Sequence, residues 1–129
     1  MFTQFAFVIA LAAIAVQPAT ALADATGEIA TATDHAGYAT SSNNIGAVHE
    51  HLHHAVNCLG GPSSKAFDSG VENPCAKMGN GAIPDVADAA VKAKLQAAAA
   101  VAETGIASND EVTAKKAATD AYTMLRAIK

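Results

Sequence analysis

The sequence predicts an all-α fold: a small up-down helical bundle of four helices, or of three with a long first helix, with a disulfide-stapled crossover loop. Three observations predict it. Apolar residues recur three and four positions apart, the spacing that lines one face of a helix. Alanine, the strongest helix former, dominates the second half of the chain. No stretch of useful length alternates apolar and polar residues as a half-buried strand would.

The first element stands apart from the fold. Phe5 to Val16 is an uncharged apolar run, followed by Gln17, Pro18 and the small-x-small pattern Ala21-Leu22-Ala23. This reads as a secretory signal peptide over residues 1–23, cut after Ala23. No Lys or Arg precedes the run, so the amino terminus alone would supply its positive charge. The run falls short of the roughly 20 residues that span a bilayer comfortably, and Pro18 interrupts its extension. Residues 24–129 are then a single domain, periplasmic or secreted, with no segment left to cross a membrane.

Ala25 to Thr40 carries Ile29, Ala32, Ala36 and Ala39 at helical spacing, and Ser41-Ser42-Asn43-Asn44 supplies a break with capping residues. Asn44 to Leu59 follows as a second helix, its apolar stripe made by Ile45, Val48, Leu52, Val56 and Leu59. The spacing also runs on through His35, Tyr38, Ile45, His49, Leu52 and Val56, which would make one long helix. The break is the preferred reading, because four helices of comparable length pack better than one long and two short.

Gly60 to Ile83 has the composition of a loop. Gly60-Gly61-Pro62 ends the second helix, and Asn73-Pro74 and Gly79-Asn80-Gly81 are turn signals. Asp85 then reads as the N-cap of a helix over Val86 to Thr104, stopped by Gly105. Ser108 and Glu111 fit a capping box that opens the last helix, which runs to about Ala127. The short connection predicts an antiparallel hairpin of these two helices.

Cys58 and Cys75 are the two cysteines. Their spacing is neither a redox C-x-x-C pair nor a haem attachment. In an oxidising compartment a single pair most simply makes one disulfide, which would fold the loop back onto the second helix. Two thiolate metal ligands are the alternative.

The ordered string His51-Leu52-His53-His54-x-x-Asn57-Cys58-Leu59, Gly61-Pro62, Asn73-Pro74-Cys75 and Gly79-Asn80-Gly81-Ala82-Ile83-Pro84-Asp85 resembles a pattern shared by small exported bacterial proteins of uncharacterised function. The resemblance implies a compact helical secreted domain. It brings no activity with it.

The chemistry concentrates in His49-Glu50-His51-Leu52-His53-His54, which holds four of the five histidines. Imidazole is the commonest protein ligand for transition metals. At about 100° per residue, His49 and His53 fall together on one flank of the apolar stripe, His51 on the other flank, and His54 nearly opposite with Glu50 beside it. The sequence therefore predicts His49 and His53 as the core metal ligands, His35 as a third from the preceding helix, and His51 and His54 as peripheral. The bland reading is that the histidines are boundary residues making ordinary hydrogen bonds. Glu50 and His54, four apart, read as an exposed charge pair. Met78 reads as a loop residue over the core, with a soft copper ligand as the less favoured role.

His49-Glu50-His51-Leu52-His53 also matches the zinc-protease pattern H-E-x-x-H formally. A short alanine-rich bundle leaves little room for a substrate cleft and offers no third ligand downstream, so the chain is read as non-catalytic. The acids of Asp68 to Glu72 lack the alternation of a calcium loop. All 12 acidic and 8 basic residues lie from Asp24 onward, giving a net charge of −4, with no basic block and no tryptophan. Nucleic acid is accordingly not expected as a partner. The sequence thus predicts an exported scavenger, buffer or carrier of a divalent transition metal, zinc, copper or nickel. The competing prediction is a structural or interaction domain whose histidines hold no metal.

Overall fold

The computed structural model describes residues 23–128. The leader expected over residues 1–23 lies, apart from Ala23, outside them. All regular structure among the described residues is helical: α1 Ala25–Ser41, α2 Ile45–Gly60, α3 Ala82–Asp85, α4 Ala89–Ala107 and α5 Glu111–Arg126. None of these helices is long and apolar enough to cross a membrane.

The count exceeds the expected four because α3, a single turn, forms at the end of the crossover, where the sequence predicts irregular structure. The break between α1 and α2 is present, and Asn44 caps α2 by accepting the Ala47 N–H at 2.9 Å. Two other boundaries differ from the sequence reading. Asp85 does not cap α4: its carboxylate accepts the backbone N–H of Asn80 at 2.6 Å and the Asn80 amide at 3.0 Å. Asp88 caps instead, accepting from Val91 N–H at 2.9 Å. Likewise Ser108 closes α4, and α5 is capped by Asp110. Asp110 accepts from the Thr113 hydroxyl and the Thr113 N–H, which together hold its carboxyl below the usual carboxylate range.

Gly105 does not stop α4, which runs on to Ala107. It lies buried where α4, α2 and α5 meet. A Cβ there would sit 2.7 Å from Leu52 Cδ1 and 3.0 Å from Ala117 Cβ. The glycine marks a close approach of helices rather than a helix end.

α1 packs on α2 and α5, and α4 packs on α5 and α2. The core between them is built from small residues, among them Ala32, Ala36, Ala98, Ala102, Ala118 and Ala121, with Leu52, Leu59, Leu95 and Leu125 as the bulky fillers. Alanine-lined faces bring helix axes close and leave little internal volume.

The crossover is fastened to both front helices. Cys58 and Cys75 are bonded to each other, with Cα atoms 5.2 Å apart. Beside that bond the buried Asn57 amide donates to the carbonyls of Asp68 at 3.0 Å and Glu72 at 3.3 Å, while its oxygen accepts the Asp68 N–H at 2.9 Å. On α1, the fully buried Glu28 accepts the Gly81 N–H at 2.9 Å. Gly61 and Gly81 both have positive φ, 66° and 108°, where the two ends of the crossover touch. A Cβ on Gly61 would fall 1.6 Å from the Asn80 carbonyl oxygen, so no other residue fits there.

Candidate metal centre

Three residues connect α1 to α2, so the two helices run antiparallel and positions equally distant from the turn sit side by side. His35 and His51 lie eight residues before and after Asn43. Their Nδ1 atoms are 3.3 Å apart. His54, three residues beyond His51 and on the same side of α2, completes a group. One ligating nitrogen from each of His35, His51 and His54 lies within 4.8 Å of the others.

The 3.3 Å separation is chemically informative. Two imidazole nitrogens bound tetrahedrally at about 2.0–2.1 Å from one zinc ion stand about 3.3 Å from each other. Without an ion, the same separation holds an N–H···N hydrogen bond, in which one ring donates and the other accepts. The His54 ring stands edge-on to His35, with centroids 4.7 Å apart. Its Nδ1 is buried and has no hydrogen-bond partner. Tyr38, 53% exposed, packs its ring against both His35 and His51 and forms the outer wall.

The electrostatics favour the neutral form of His35 and His54, the form that binds metal. Burial pushes His35 below the ordinary imidazole range, and the neighbouring His54 and His51 push it the same way. Asp34 and Glu72 pull against them. Burial is also the largest influence on His54 and lowers it; Glu50 opposes, His51 adds to the lowering, Glu72 opposes and His53 adds.

The cluster differs from the arrangement the helical wheel predicts. His54, expected on the exposed side, is only 6% exposed. His49 and His53, expected as the core pair, are engaged apart from each other. His49 Nε2 is 2.9 Å from the carbonyl oxygen of Ser108 at the end of α4. His53 Nδ1 lies 3.5 Å from Asp68 Oδ2, an ion-pair separation without a hydrogen bond. Among the described residues, His49 and His53 do not belong to a group of three or more possible metal ligands. Glu50 is exposed while His54 is buried, so they do not form the surface charge pair the spacing suggests. Met78 packs against the core, and the Thr31 hydroxyl approaches its sulfur at 3.8 Å.

The physical reason is the cover over α2. A wheel drawn for one helix assumes one buried face. From Leu52 to Leu59 every α2 residue except His53 is buried, because α1, α4 and the stapled crossover enclose the helix together. Two sequence signals point to the observed group: the symmetry of His35 and His51 about the turn, and Cys58 one helical turn after His54.

A cavity of about 480 Å³ forms an open groove near Val56, Ile83, Pro84, Lys92 and Ala99. It lies on the far side of α2 from His54 and shares no residue with the histidine group. No family model, curated protein or solved structure matches this chain.

Proposed function

We propose that this protein is an exported, non-catalytic metal-binding protein, a scavenger, buffer or carrier of zinc, copper or nickel, with His35, His51 and His54 as ligands. In this reading residues 1–23 are a cleaved leader, and α1, α2, α4 and α5 form an up-down bundle of the kind found in small exported bacterial proteins. The disulfide and the lack of a spanning helix among the described residues are compatible with export.

The observation that carries the proposal is convergence. Imidazoles from two helices bring nitrogens to 3.3 Å, and a third lies within 4.8 Å in a half-buried setting. Incidental surface histidines splay into solvent. Three nitrogens leave at least one position of a four-coordinate ion open, so an ion held here can exchange. That suits transport or buffering better than a closed structural site.

The His35–His51 hydrogen bond and the packing of Tyr38 support a second reading, in which the rings only join α1 to α2. Calorimetric titration of zinc, copper and nickel into residues 24–129 at neutral pH separates the two. The expected result is a Kd of about 1 µM or tighter, near −8 kcal/mol, and much tighter than for a peptide of residues 45–59. Affinity no better than the peptide's would leave only the structural role.

A further inference from the structure

We propose that the disulfide-stapled crossover is the positioning element of the three-histidine centre, so that the oxidised protein holds metal and the reduced protein releases it. The inference rests on the metal-binding reading above and adds its regulation.

His54 is the member of the centre that needs explaining. About 160° of helix rotation separates it from the middle of the α2 apolar stripe, at about 100° per residue. It is nonetheless 6% exposed. On that side the ring packs edge-on against His35 of α1, and Glu72 of the crossover lies near enough for its charge to act on His54. Cys58 stands four residues after His54, one turn along the same face, and carries the bond to Cys75. Asn57, between them, grips the backbone of Asp68 and Glu72 with its side-chain amide. Two adjacent residues of α2, Asn57 and Cys58, thus hold the crossover against the helix one turn beyond His54. The crossover contains no long helix of its own, only turns and the single turn of α3. Its place depends on the bond, on Asn57 and on the Glu28–Gly81 contact.

Reduction by a dithiol removes the first of these. A reductant thiolate attacks one sulfur of the Cys58–Cys75 bond, forms a mixed disulfide and expels the other cysteine as thiolate. The second reductant thiol then displaces the remaining cysteine. Two electrons and two protons pass to Cys58 and Cys75, and the reductant leaves as its cyclic disulfide. Both cysteines are buried, at 0% and 2% exposure, so exchange proceeds through opening of the crossover. Once open, the loop regains its freedom, and His54 gains solvent and rotamer freedom that metal binding must then remove again. Preorganisation of the ligand is lost although none of the three histidines has changed.

The test compares oxidised wild type, dithiol-reduced wild type and the Cys58→Ser/Cys75→Ser double variant by zinc titration against a chromophoric chelator at neutral pH. Reduced protein and double variant are expected to bind at least tenfold more weakly. A second readout uses metal-free protein: ethoxycarbonylation of histidine by diethyl pyrocarbonate, located by mass spectrometry. His54 should react slowly in the oxidised form and rapidly in the other two, with His49 unchanged throughout. Should the double variant fail to fold, Asn57→Ser keeps the bond and loosens the grip, and a several-fold loss of affinity with faster His54 modification is expected. Equal zinc affinity in oxidised and reduced forms, or His54 equally protected in both, overturns the redox control alone. So does tighter binding after reduction, which would make the freed thiolates ligands. No zinc binding by the oxidised protein overturns this proposal and the metal reading together.

Discussion

A buried imidazole nitrogen without a partner is costly, by about 1–3 kcal/mol for a typical polar group, and His54 Nδ1 is such a group. A site that binds a cation gives that cost a purpose. His35→Ala, His51→Ala and His54→Ala are each expected to weaken zinc binding at least tenfold. His49→Ala should stay within about twofold, because His49 is turned to the Ser108 carbonyl. Chelator-competition titrations decide it: His49→Ala as damaging as His54→Ala would return the site to the pair suggested by the helical wheel. The sequence shows which residue types matter, and His35 as a contributor from α1, but not which α2 histidines face it. Glu28 makes a second test at this scale. Burial is the main cause that raises its pKa above the usual carboxylate value; Asp85 and Asp24 add to the rise, and the Gly81 N–H bond opposes it. A raised carboxylate contributes its full stability below the unfolded value near 4.5 and loses it as pH rises through the folded value. Glu28→Gln keeps an oxygen for the Gly81 N–H and removes the buried charge. It should raise the melting temperature by a few degrees at pH 8 and change it little at pH 4.5. A lower melting temperature at pH 8 would mean that the ionised carboxylate is the stabilising form.

At the scale of elements, capping chemistry made α2 legible, since Asn44 and the Gly60-Gly61 pair stand at its two ends and serve there. The same chemistry misled at α4, where Asp85 and Asp88 are three residues apart and both suit an N-cap. Which one caps depends on Asn80, a residue folded back by the crossover, and no local pattern records that. Gly105 departs from its expected role for a related reason. A glycine near a helix end usually marks the stop, yet here its missing Cβ admits Leu52 and Ala117. In an open helix, Gly→Ala adds up to about 1 kcal/mol of stability. In Gly105→Ala the new methyl meets Leu52 Cδ1 at 2.7 Å and the Ala114 carbonyl oxygen at 3.2 Å, and overpacking of this kind costs about 1–3 kcal/mol. The variant is expected to be less stable by about 1 kcal/mol, as measured by urea unfolding. A gain in stability would show that α4 and α5 can part without penalty.

For the whole molecule, the three-histidine group joins α1 to α2 and the disulfide joins α2 to the crossover, so an ion taken up as proposed would bind to parts that also hold the fold together. An ion that binds only the folded chain stabilises it by about 2.7 kcal/mol at a hundredfold excess over Kd. In a domain of this size that corresponds to a rise in melting temperature of about 10–20 °C. The rise should be present at pH 7.5 and largely absent in His51→Ala, which lacks one of the two nitrogens that stand 3.3 Å apart. Its pH dependence has a definite sign. His35 and His54 are held below the ordinary value of 6.5, so the unfolded chain takes up these protons first as the solution is acidified. Their contribution to stability is complete above about pH 6.5 and falls as pH drops through that region toward the folded values. Bound metal keeps the rings unprotonated to lower pH still, so the loaded protein should lose stability more steeply than the metal-free one, and the two melting curves should converge as pH falls. Differential scanning calorimetry with and without zinc, from pH 5 to 8, measures both slopes. Parallel slopes would mean that zinc binds without displacing protons from these imidazoles, and the ligands would then have to be sought among the carboxylates.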